Sequence, residues 1–170
     1  AVEASPGAII LVNQAGKITL VNVQAETLFG YTRDELLGKT VEMLVPEQFT
    51  GPHVHDRAGF FAAPTARPMG GGRDLFGRRK DGRQVPVEIG LNPIQTNEGQ
   101  FVLASIIDIT ERKQIEADLR SSEERFRKAF AHAPIGIALI ALSGEFLQVN
   151  QSFCDIVGYS EAELLQLTWS

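Results

Sequence analysis

The chain has 170 residues, 44% of them hydrophobic, with a formal charge of −5 and a single cysteine. That length allows one well-packed core and the start of a second, and the acidic balance argues against a nucleic-acid surface, which needs a clustered excess of Lys and Arg. The lone thiol, Cys154, excludes an internal disulfide and predicts a reducing, cytoplasmic setting; the longest apolar run, residues 135–142, is too short to span a bilayer.

Taken in chain order, AIILV (residues 8–12) and ITLVN (18–22) are short β-rich runs around a turn at Gly16 and predict a hairpin. AETLFGYT predicts a short helix stopped by Gly30, and RDELLG a second one stopped by Gly38. PEQFTGPHVHDRAGFF predicts a further helix, and APTARPMGGG a flexible loop. DLFGRRKDGRQVPVEIGL contains two strand candidates flanking Asp81-Gly82, a strong hairpin dipeptide whose basic neighbours read as a solvated tip. In the second of these strands Val85, Val87, Ile89 and Leu91 alternate with Gln84, Pro86, Glu88 and Gly90, giving one buried and one wetter face. QFVLASIIDI follows a turn at Asn97-Glu98-Gly99 as the last strand. Two strands, a helical block and three strands make an α+β domain: a five-stranded antiparallel sheet with short helices on one face. A pocket between that face and the helices would be lined by Leu28, Met43, Phe60, Phe61, Ile89 and Ile107, which are equally the residues of a filled core.

Residues 111–130 then carry apolar or small side chains at Ile115, Leu119, Ser122, Phe126 and Ala129, the four-three spacing of a coiled-coil seam. Glu116, Glu123 and Glu124 each stand four residues before a basic residue and support the helix modestly. So short a helix is marginal alone in water, so the stripe predicts a partner: a homodimer through this helix, with Ile115, Leu119 and Phe126 in the seam. Beyond it, the first third of the chain recurs. Residues 5–40 align without a gap on residues 133–168, an offset of 128, pairing Pro6 with Pro134, Asn22 with Asn150 and Gly30-Tyr31 with Gly158-Tyr159. A period that long is a duplicated domain. The organisation expected is a domain over 1–110, a helix over 111–130 and the opening part of a second domain over 131–170.

VNVQAETLFGYTRDELLGKT, GRRKDGRQVPVEIGL and above all ASIIDITERKQIEADL resemble the PAS domain family, whose members leave their last strand through a D-I-T-E-R-K step into a signalling helix. The resemblance covers residues 5 to about 118 and again 133–170. It implies a sensory or dimerisation module of a histidine kinase or cyclic-dinucleotide regulator, with the output domain elsewhere in the same protein and PAS surfaces adding to the dimer. Asp108 and Thr110 would form the signalling exit, because such side chains accept from the free amides of a first helical turn.

His53 and His55 raise the question of a bound metal or haem. As H-x-H in a helical segment they do not face each other, and no cysteine is near, so no metal site is expected. PEQFTGPHVHDRAGFF and GGGRDLFGRRKDG resemble the haem segments of rhizobial and enteric oxygen-sensing PAS domains; on that resemblance His53 would hold the iron and Arg73 would reach the bound gas. Asp56 and the Gly- and Pro-rich loop depart from those sensors, and the residues alone leave both histidines as polar groups at a helix entrance. Cofactor identity is therefore left open, with none expected first and haem the alternative. A covalent flavin photosensor would need a mid-domain cysteine that is absent here. Catalysis is not expected: HVHD has the wrong aspartate offset for a hydrolase metal motif, and no nucleophile elbow or phosphate loop is present.

Overall fold

The computed structural model of the protein describes residues 1–169. It divides into two compact units, Ala1–Lys113 and Gln114–Ser170.

In the first unit, β1 (Ala8–Asn13) and β2 (Ile18–Val21) form the expected hairpin, followed by α1 (Val23–Phe29) and α2 (Arg33–Leu36). Two short 3-10 turns, Val41–Leu44 and Glu47–Phe49, lead into α3 (Thr50–Ala62). The remaining strands are β3 (Arg67–Pro68), β4 (Leu75–Arg78), β5 (Gln84–Thr96) and β6 (Gly99–Asp108). The sheet is antiparallel throughout, in the order β2-β1-β6-β5-β3, with β4 also pairing β5. It has six strands rather than five: Arg67 and Pro68, within the expected loop, pair with Leu91 and Gly90. Proline lacks an amide donor, which an edge strand tolerates.

The core lies between one face of this sheet and the helices. Ala8, Ile10 and Val12 of β1, Val85 and Val87 of β5, and Val102, Ala104 and Ile106 of β6 meet Leu28, Phe29, Leu36, Phe60 and Phe61. Caps fix the helix ends. Asn22 caps α1, Gly30 ends it in the left-handed region at φ 77°, and Thr32 with Glu35 forms a reciprocal capping box on α2.

The helix α4 (Thr110–His132) is longer at both ends than the sequence indicates, and the division between units falls about one turn into it. The second unit continues with β7 (Ala138–Ile140), β8 (Phe146–Val149), α5 (Gln151–Val157) and α6 (Glu161–Leu164). It repeats the first unit's opening down to its caps: Asn150 on α5, Gly158 at φ 77°, and a Ser160–Glu163 capping box. Phe146, Val149, Cys154 and Leu164 make its small core.

Candidate functional site

Two places gather the chemistry of the first unit: the region around His53, and the exit from β6 into α4. His53 lies in the first turns of α3, where its Nδ1 is 3.0 Å from Oε1 of Glu42. Four residues on, and so on the same face of the helix, Arg57 donates from Nε to the same oxygen at 2.9 Å and from Nη1 to the Gln14 carbonyl at 3.3 Å. Glu42 is buried in the first 3-10 turn. Burial pushes its carboxyl up, but the hydrogen bonds from Arg57 and His53 outweigh that and hold it below the ordinary carboxylate range. The cluster ties three segments together: α3, the 3-10 turn and the β1–β2 turn. At that turn Gly16 has φ 80°, and a Cβ there would lie 2.4 Å from the Arg57 guanidinium carbon.

Glu42 and Arg57 do not figure in the sequence reading. A signal for each exists: Glu42 is the one charged residue in VEMLV, and Arg57 stands at the i+4 position from His53.

Arg73 lies elsewhere. It is exposed, and its Nε donates to the Gly70 carbonyl of its own loop at 3.0 Å. Of the six expected pocket residues, Leu28, Phe60 and Phe61 belong to the buried core, and Met43 and Ile89 pack against it. Ile107 does not. It is 55% exposed, because Val102, Ala104 and Ile106 take the inward positions of β6 and a strand alternates its faces; Ile106 is the residue that faces the core. Two surface clefts, of about 230 and 860 Å³, border Phe29 with the β4–β5 turn and the β1–β2 turn with the β5–β6 turn; neither is bordered by His53 or Arg73.

The residues that the resemblance assigns to haem are not gathered in one place. Arg73 is bonded within its own loop, and Leu28, Phe60, Phe61 and Ile106 are packed in the core, while the Glu42 carboxylate holds His53 through Nδ1 and leaves Nε2 as the nitrogen an iron would use. His53 and His55 sit at i and i+2 of a helix, and among the described residues no group of three or more His, Cys, Asp or Glu side chains could hold a metal ion.

The exit is tightly built. Asp108 Oδ1 accepts from the Thr110 amide at 2.8 Å and from the Thr110 hydroxyl at 2.6 Å, meeting a donor that the helix start leaves free. Ile109 between them is buried and donates its amide to the Pro86 carbonyl at 3.0 Å. In the first turn of α4, Arg112 pairs with Glu88 of β5, and Lys113 Nζ lies 2.8 Å from Oδ1 of Asp74. The bond from Arg112 holds the Glu88 carboxyl below its usual range, and Lys113 does the same for Asp74. Beyond this turn Ile115, Leu119 and Phe126 stay 61%, 59% and 53% exposed on the expected seam, with Ser122 between the last two. Among the described residues no helix is long and apolar enough to cross a membrane.

Known proteins resemble this chain in sequence and fold. A sensor protein of Bradyrhizobium diazoefficiens, FixL, is 27% identical over 154 residues, 91% of this chain and 30% of its own length. The oxygen sensor protein DosP of Escherichia coli is 26% identical over 172 residues, 98% of this chain and 20% of its own. The chain thus spans less than a third of either relative. The solved PAS domain of an HTR-like protein from Haloarcula marismortui superposes with a TM-score of 0.55 at 25% identity, covering 64% of this chain and 85% of that one. Residues 6–111 match one family model described as PAS domain and residues 124–170 match another, so the chain belongs to the PAS family as a tandem pair whose second member is partial.

Proposed function

We propose that the chain is a non-catalytic, cytoplasmic sensory and dimerisation module of a larger signalling protein, in which the state of the first PAS domain passes through α4 to the domains beyond. The observation that carries this reading is the exit. A central strand runs through a pinned Asp108–Thr110 step into a helix whose first turn is ion-paired to Glu88 and Asp74 of the first unit and whose apolar side chains beyond it stand exposed. A change in sheet shape moves such a helix as a lever, and a stripe of that spacing is covered by a second copy of itself. Similarity to part of a cell-division control histidine kinase, PdhS, and of a probable diguanylate cyclase, DgcE, both far longer than this chain, supports a downstream output in the same protein, of kinase or cyclic-dinucleotide type.

Light scattering on the purified chain tests the dimer. The expected mass is twice that of one chain, falling to a single chain when Leu119 and Phe126 are both replaced by Glu; a native chain that is monomeric at high micromolar concentration would sink the reading.

A further inference from the structure

In the second unit, the Asn150 side chain ties the end of α4 to the elements that follow it. Asn150 is 2% exposed and uses all four of its side-chain hydrogen-bonding positions. Its Oδ1 accepts from the amides of Ile137 at 2.8 Å and Phe153 at 2.9 Å, while its Nδ2 donates to the carbonyls of Phe130 and Ile135, both at 2.9 Å. The partners fix which way the amide points, because two donors face one end and two acceptors the other. Phe130 lies in the last turn of α4, Ile137 leads into β7, and Phe153 is in the first turn of α5.

The Phe130 carbonyl needs this donor. A helix would pair it with the amide four residues on, but that residue is Pro134, which has none. The first unit repeats the hub atom for atom at the 128-residue offset. Asn22 accepts from Ile9 at 2.8 Å and Ala25 at 3.1 Å, and donates to Val2 at 3.2 Å and Gly7 at 2.9 Å; Pro6 stands four residues after Val2. A hub kept intact in both copies is a part of the domain plan, not an accident of one helix end.

We propose that Asn150 is the receiving joint of the second domain. One rigid amide grips the end of α4, the approach to the hairpin and the start of α5 together, so a shift of the helix end is imposed on both. This rests on the reading of α4 as the transmitting element and adds where its motion is received.

Two substitutions separate the joint from the helix cap. Asn150→Asp keeps Oδ1 for Ile137 and Phe153 but turns an oxygen toward the Phe130 and Ile135 carbonyls. Asn150→Ser keeps a capping hydroxyl too short to reach Phe130, and serves if the charged variant fails to fold. In the full chain, amide exchange at residues 129–132 is expected to quicken by about tenfold or more while the Phe153 amide stays protected; unchanged protection at 129–132 would overturn the joint. A second arm perturbs the far end. Asp108→Ala is expected to move the Ile137 and Phe153 amide resonances in the native background and not with Asn150→Ser. Equal movement in both backgrounds overturns the joint and leaves helix transmission standing, whereas no movement in either removes the transmission reading and the joint with it.

Discussion

At Glu42 a buried carboxylate faces two basic side chains, and removing its charge strands both. Glu42→Gln is expected to cost about 3 kcal/mol at neutral pH, the range found when one member of a buried ion pair is lost. The pH dependence has a definite sign. The folded carboxyl is held below its unfolded value, so its contribution is complete above the unfolded pKa and disappears as pH falls through the folded one. Urea titrations should therefore show the native protein and Glu42→Gln converging as the pH falls below the ordinary carboxylate range. His53 enters the same account. His53→Ala removes one donor to Glu42 and should cost about 1 kcal/mol, and hemin added to the native chain should give no Soret band that this substitution abolishes. The sequence drew attention to His53 for its resemblance to an iron ligand, yet its structural role follows from Glu42, eleven residues upstream. That pairing depends on how the 3-10 turn folds back on α3, which no local pattern encodes.

Elements were legible wherever local chemistry sets them. The Asn and Gly caps, the Asp81-Gly82 hairpin and the alternation along β5 follow from single-residue preferences and from the period of two. What was not legible is instructive. β3 is two residues held by a partner strand rather than by their own propensity, and Ile107 was placed inward because IIDI offers two adjacent isoleucines with nothing local to choose between them. Register chose: Ile89 faces Ile106 across the sheet, and Ile107 stands opposite exposed Glu88. Two glycines of the first unit separate conformational need from habit. Gly30 sits at φ 77°, so Gly30→Ala should lower stability by about 1 kcal/mol. Gly90 has an ordinary φ and no atom within 4 Å of an added Cβ, so Gly90→Ala should raise stability by about 0.5 kcal/mol. Thermal unfolding of the two variants side by side decides both. Asp108→Ala should loosen the start of α4, costing about 1 kcal/mol and speeding amide exchange over residues 111–113.

Across the whole chain the 128-residue repeat is the feature from which most else can be derived. It showed a duplicated domain before any fold was in view, and the second unit reproduces the first unit's hairpin, caps and asparagine hub. The sequence could not show that the hub reaches into the helix between the copies, because Asn22 and Asn150 read alone as strand-end residues. α4 thus has a built attachment at each end, Asp108 with its ion pairs at one and Asn150 at the other, and between them apolar side chains at Ile115, Leu119 and Phe126 that stand more than half exposed. The central claim is that this stripe is the seam between two copies. Disulfide scanning along α4 tests it most directly, with Cys154 first replaced by Ala. Cysteines at Ile115, Leu119 and Phe126 should cross-link two chains readily under mild oxidation, while cysteines at Ala117 and Glu124, about half a helical turn away, should not. Equal cross-linking on both faces, or none on the stripe, would contradict the account.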